Sequence, residues 1–151
     1  MQYNINLIKK FVIAIIIIVV LIVIQMFYGI SYVPTSSMEP KIQAESLVLV
    51  QKRNFEPKVG NICVYKDSSG TKIIHRINSI KVENAEKKYE FKGDNNEKSD
   101  TELVSKSKIQ SKYIAHSHIL GVIYKYVKAI VVFVCSALGI YFIYKDNKEN
   151  K

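Results

Sequence analysis

Thr35-Ser36-Ser37-Met38-Glu39-Pro40 stands where a long apolar run gives way to a polar chain. Pro34 and Pro40 bracket it. Proline fixes φ and blocks helical continuation, so the stretch leaves the apolar run as a stiff, extended loop. Upstream, residues 11–30 carry no charge, with Gln25 the one strongly polar side chain. Twenty such residues at helical rise cover roughly 30 Å, the thickness of bilayer hydrocarbon. Lys9-Lys10 before an apolar run also opens a cleaved leader, but a leader's apolar part is about 7–15 residues and ends in small side chains. Here the run is longer, and Met26-Phe27-Tyr28 fills the place of the small residues. It reads as an anchor, with Phe27, Tyr28 and Tyr32 as an aromatic belt at the outer interface. A Ser, Thr and Pro cluster is by itself an ordinary linker. What lies beyond decides whether its hydroxyls matter.

Beyond it the chain reads as strands. Residues 46–51, 61–65 and 73–80 are β-branched and apolar, and 89–92 alternates, with Tyr89 and Phe91 on one face and Glu90 and Lys92 on the other. Turn chemistry separates them at Glu56-Pro57-Lys58-Val59-Gly60, Asp67-Ser68-Ser69-Gly70 and Gly93-Asp94-Asn95-Asn96. Short strands at this spacing predict a mainly β fold, a small antiparallel barrel-like domain. Residues 97–111 are polar and read as a surface excursion.

Residues 129–144 are apolar again, bounded by Lys128 and Lys145. With Tyr126 and Val127 they reach the length of a second span, Lys128 snorkelling to the headgroups. The chain therefore divides into a tail (1–10), a span (11–30), a β domain (31–124), a second span (125–144) and a short tail (145–151). Two spans put both tails on one side, and Lys9, Lys10, Lys145, Lys148 and Lys151 make that side cytoplasmic. The β domain is then extracytoplasmic at the cell membrane.

The net charge is +9, from Lys+Arg 22 against Asp+Glu 13. The lysines are scattered, with no basic helix and no base-stacking aromatic strand, so the lipid bilayer is the expected partner and nucleic acid is not. Cys63 and Cys135 are too few for a disulfide framework and read as small packing residues. His116-Ser117-His118 offers two imidazoles without a third ligand, so neither metal nor cofactor is expected.

Ser37, His75 and the carboxylates Asp94 and Asp100 thus share one membrane-surface domain. Acyl transfer needs a hydroxyl nucleophile, a base that takes its proton near neutral pH, and a carboxylate to orient that base. Histidine, with an unperturbed pKa of about 6.5, suits the base role. Two other readings stay open: a Ser–Lys dyad using Lys72, and a non-catalytic membrane-tethered β module acting as a secretion accessory.

Ser37-Met38-Glu39-Pro40 behind an N-terminal span resembles the nucleophile box of the type I signal peptidases. Phe55 to Tyr65, with Gly60-Asn61-Ile62-Cys63-Val64, is similar to that family's second box. Ile74-His75-Arg76-Ile77 resembles the base-bearing box, and Lys92-Gly93-Asp94-Asn95-Asn96 with Asp100 the last. The boxes run in family order, and the resemblance covers residues 11–144. His75, where the common bacterial enzymes carry Lys, matches the endoplasmic-reticulum-type branch, including the SipW-like enzymes.

The resemblance implies a serine endopeptidase acting on signal-peptide-bearing preproteins delivered by the secretion translocon. Ser37 would be the nucleophile and His75 the general base. Asp100, six residues after the Gly-Asp aspartate, would complete the triad. Thr35, two before the nucleophile, would join the backbone N–H of Ser37 in holding the oxyanion. Asp94 would hold its turn or pair with Arg76 as structural support. Asn61 replaces the family's usual Asp. Thr35 replaces a more usual Ser, its methyl narrowing χ1.

Overall fold

The computed structural model describes residues 2–83 and 85–149; Met1, Asn150 and Lys151 of the two tails lie outside them. In chain order the elements are α1 (Gln2–Phe27), β1 (Tyr28–Val33), β2 (Ser46–Gln51), β3 (Ile62–Lys66), β4 (Lys72–Glu83), β5 (Glu86–Lys92), β6 (Val104–Ser105), a single 3-10 turn (Lys106–Lys108), β7 (Ile109–Ser117) and α2 (His118–Glu149). The strands form one seven-stranded sheet in the order β1-β2-β7-β3-β4-β5-β6. Every pairing in it is antiparallel. The fold is mainly β, with an apolar helix at each end.

The run of isoleucine and valine in α1 is rich in residues that favour strands, yet it is helical. Where no water reaches the backbone, only a helix satisfies every N–H and C=O within one segment. Its side chains are exposed all round, for example Ile15 and Ile22. An apolar helix without a polar face needs a non-aqueous surrounding. Two helical stretches, Ile8–Phe27 and His118–Tyr141, are long and apolar enough to cross a membrane. The helix ends at Phe27, and the last three residues of the apolar run, from Tyr28 to Ile30, open β1 instead. Lys52 closes the junction: its amino group donates to the Gln25 carbonyl at 3.1 Å. A cation at a helix C-terminus complements the dipole there.

Two apolar clusters fill the two sides of the sheet. Val33, Met38, Ile42, Val48, Val50, Ile62 and Val64 make one. Cys63, Tyr65, Ile77, Tyr89, Phe91, Val104 and Ile109 make the other. β3 feeds both, since successive side chains of a strand point to opposite faces. That is why residues 62–65 read as a continuous apolar run rather than an alternation.

The polar excursion expected over 97–111 is corrected by the structure. Val104 lies in β6, and residues 109–111 begin β7, which sits between β2 and β3 in the middle of the sheet. Ile109 and Ser111 are buried while Gln110 and Lys112 are more accessible. A buried serine in place of an apolar residue hid this period-two pattern.

α2 starts at His118, seven residues ahead of the sequence-based boundary, because its first turns dock on the β domain. Gly121 lets the helix backbone close on the chain entering β2: a Cβ there would stand 1.8 Å from the Glu45 carbonyl oxygen. Lys125 forms an ion pair with Glu45. The Tyr32 and Tyr124 rings meet at 5.8 Å. His118 Nδ1 donates to the Ala44 carbonyl at 2.9 Å, and His116 Nδ1 shares a hydrogen bond with the Tyr113 hydroxyl at 2.8 Å. His118 therefore serves this junction, while the His116 bond lies within β7. Cys63 is buried, as a packing residue should be, whereas Cys135 is exposed on α2.

Candidate active site

The loop after β1 is held from below on both sides of Ser37. Val33 enters the core before it, Met38 and Ile42 after it, all three at 1% exposure or less. Full burial of such a side chain contributes about 1.5–3 kcal/mol, which fixes the loop far better than its proline pair alone. Ile42 N–H donates to the Met38 carbonyl at 2.9 Å and Glu39 N–H to the Ser36 carbonyl at 3.0 Å, a tight turn that leaves Ser37 half-buried at its crest.

The box after β5 clamps that crest. Asn95 N–H donates to the Ser37 carbonyl at 2.9 Å, and Asn95 Nδ2 to the Ser36 carbonyl at 3.3 Å. Gly93 is what permits the approach: a Cβ there would lie 2.6 Å from the Ser37 carbonyl oxygen. Gly93→Ala should therefore displace the Ser37 loop. Misplacement by about 1 Å costs about 10²-fold in rate. Kinetics beside a thermal melt check this, the expected result being lost turnover with a near-normal midpoint.

Register delivers the imidazole. In the β3–β4 pair Cys63 faces His75, and Ile62 faces Arg76. Directly opposed residues project to the same side, so His75 and Arg76 leave β4 on opposite faces. His75 is 7% exposed. Its Nε2 lies 3.1 Å from Ser37 Oγ and its Nδ1 lies 2.7 Å from Asp100 Oδ2. Asp100 is fixed by its own N–H, which donates to the Phe91 carbonyl at 2.8 Å. Thr35 Oγ1 sits 3.3 Å from Ser37 Oγ. A hydroxyl, an imidazole and a carboxylate from three distant segments form one hydrogen-bonded line.

Arg76 turns the other way and grips Asp94 with two hydrogen bonds, Nε to Oδ1 at 2.8 Å and Nη2 to Oδ2 at 2.6 Å. Its Nη1 donates to the Gly60 carbonyl at 2.8 Å. Such a bidentate pair is the strong form of ion pair, and it raises the guanidinium's already high pKa. The clamp ties the second, third and fourth boxes together. Asn61 plays a local part, its Oδ1 accepting from Lys58 N–H at 3.3 Å. Lys72 lies opposite Lys66 at the exposed start of β4. Among the described residues His75, not Lys72, is bonded to Ser37.

The signal peptidase model, peptidase S26, matches residues 4–120 of this chain. The chain belongs to the signal peptidase family. It is 34% identical over 96 residues to the signal peptidase complex catalytic subunit sec11 of Neurospora crassa, covering 62% of this chain and 54% of that one. The SEC11 subunit of Colletotrichum graminicola is 33% identical over 96 residues, again 62% of this chain and 54% of the relative. Signal peptidase I W of Bacillus subtilis is 30% identical over 88 residues, 57% of this chain and 46% of the relative. The matched stretch spans about half the length of these curated relatives. The similarity places this signal peptidase family member on the type I, endoplasmic-reticulum-type branch, and with its two apolar helices it is membrane-associated.

One participant was not anticipated from sequence. The Tyr65 hydroxyl donates to Asp100 Oδ2 at 2.7 Å, on the same oxygen that meets His75. Only the register shows it: Tyr65 is two residues along β3 from Cys63, which opposes His75. Cys63 itself is chemically quiet, because burial pushes its thiol up to about 12.

Proposed function

We propose that this chain is a membrane-bound serine endopeptidase, a signal peptidase I that removes N-terminal signal peptides from exported preproteins. What carries the reading is the line Ser37 Oγ–His75–Asp100, 3.1 and 2.7 Å long, in a chain of this family. Ser37 Oγ attacks the scissile carbonyl and its proton passes to His75 Nε2. Asp100 holds the imidazole's orientation and stabilises its protonated form. The carbon–nitrogen bond breaks as His75 returns the proton to the leaving amine, and water then hydrolyses the ester with His75 again as base. The Ser37 N–H and the Thr35 hydroxyl meet the oxyanion; loss of one such donor costs about 10²–10³ in rate.

The sheet offers a place for an extended peptide. Among the described residues the outer edge of β1 is unpaired, and β5 pairs with β4 only from Arg76 onward, leaving the edge at Ile74 and His75 open. Ile74 packs on the same cluster as Val33 and Met38. A cleft of about 400 Å³ runs along β1 past Gly29, Ile30 and Ser31. A preprotein's cleavage region adds there as a strand, backbone pairing giving affinity and shallow pockets giving specificity.

The helical part of residues 11–30, which ends at Phe27, and residues 125–144 span the cell membrane, with the tails 1–10 and 145–151 cytoplasmic and the sheet from Tyr28 onward outside. Confining enzyme and substrate to one bilayer, beside the secretion translocon, raises their effective concentration. Co-expression with a secretory precursor tests the reading: the intact chain should shorten the precursor and a Ser37→Ala chain should leave it full length. A non-catalytic module would make that substitution silent. Lys72→Ala separates the triad from a Ser–Lys dyad. Expected turnover is within about twofold of the unsubstituted chain, as for other exposed substitutions; inactivity would favour the dyad.

A further inference from the structure

Asp100 reaches its two hydrogen-bond donors through one atom. Oδ2 accepts from the Tyr65 hydroxyl and meets His75 Nδ1, each at 2.7 Å. Tyr65 is 2% exposed. Its ring stacks on Phe91 with centroids 4.3 Å apart, so the hydroxyl has one direction to point. Burial and the Asp100 carboxylate keep its proton on far above the usual phenol range, so it remains a donor throughout the working pH.

We propose that Tyr65 is a positioning residue that sets the pH window of the triad by sharing Asp100 Oδ2 with His75. The proposal rests on the reading of Ser37, His75 and Asp100 as the catalytic line. A donor on an ionised carboxylate stabilises the charge and makes the oxygen a weaker partner for a neighbouring cation. Tyr65 therefore draws charge from the one atom that would stabilise a protonated His75. It keeps the base free to lower pH than Asp100 alone would allow, and it holds the carboxylate in line.

The acidic groups around this cluster have partners of their own. On the loop after β3, Asp67 accepts from Ser69 and Thr71. On the loop after β5, Glu102 is paired with Lys108, and Asp94 with Arg76 of β4. Lys112 of β7 lies opposite Cys63, whose buried thiol stays neutral. None of these is hydrogen-bonded to Asp100; among the described residues Tyr65 is the side chain besides His75 that is.

The test is a pair of variants with opposite expected signs, assayed in the full-length, membrane-embedded chain by precursor cleavage. Tyr65→Phe keeps the ring stack and removes the hydroxyl. kcat should fall about tenfold, the worth of a hydrogen bond to a charged group. KM should hold, since Tyr65 is buried and touches Asp100 rather than the edge that takes the peptide, and the acid limb of the kcat profile should move to higher pH. 2,3-Difluorotyrosine at position 65 keeps the shape and strengthens the donor, so its acid limb should move to lower pH. A purely structural role would lower the thermal midpoint and kcat without moving either limb. If both limbs coincide with the unsubstituted profile while Ser37→Ala stays inactive, the Tyr65 proposal is overturned and the triad stands. If Ser37→Ala cleaves, both fall together. Should Tyr65→Phe not fold, the fluorinated chain alone decides by the direction of its limb.

Discussion

Replacing Ser37 by alanine should abolish precursor cleavage, with a loss of about 10⁶-fold, the scale seen when a serine protease loses its nucleophile. No other described hydroxyl lies on His75: Nε2 meets Ser37 Oγ, and Nδ1 is turned to Asp100. Thr35 Oγ1 is near Ser37, but no hydrogen bond joins it to the imidazole that would take its proton. The variant should fold normally, because the loop is held by buried Met38 and Ile42 and by the Asn95 N–H on the Ser37 carbonyl. A thermal melt beside the cleavage assay separates lost chemistry from lost structure. A melt that collapses would show that Ser37 supports the fold instead.

Asp100→Asn should lower kcat about 10⁴-fold, as expected when an amide leaves the imidazole in the wrong tautomer. The buried ring cannot turn to water for a substitute, since His75 is 7% exposed and pinned between two partners. Asp94→Asn is the control. It weakens the grip on Arg76, whose side chain is 36% exposed, and so loosens the clamp at Gly60 without touching the base. It should cost stability more than turnover. Normal cleavage by Asp100→Asn with an inactive Asp94→Asn would reverse the assignment of the two carboxylates. Cleavage by the unsubstituted chain should also decline in acid, because a protonated imidazole cannot accept the serine proton.

Much of this was legible before any coordinates. Charge-free length marked both apolar helices, β-branched apolar runs marked β2, β3 and β4, and alternation marked β5. Four short boxes in order marked Ser37 and His75, while Asp100 followed from family spacing rather than from any local pattern. β1 was hidden because Tyr28-Gly29-Ile30 continues the apolar run without a break. β7 was hidden because Ser111 and Lys112 look like loop residues until two neighbouring strands cover them. The start of α2 depends on Gly121 meeting Glu45, a contact 76 positions apart in sequence. Tyr65 and Gly93 matter through register and close approach, which a linear pattern does not carry. What periodicity reports is which side of an element is apolar; what it omits is which neighbour arrives there.

The most direct measurement is to locate the acyl group. The purified, membrane-reconstituted chain is mixed with an ester analogue of a precursor's cleavage segment, quenched in acid within its first turnovers, and peptide-mapped by mass spectrometry. The expected result is the acyl group on Ser37 in the unsubstituted chain and none in His75→Ala. Product accumulating with no acyl group on Ser37, or with the group on another residue, would contradict the Ser37–His75–Asp100 mechanism.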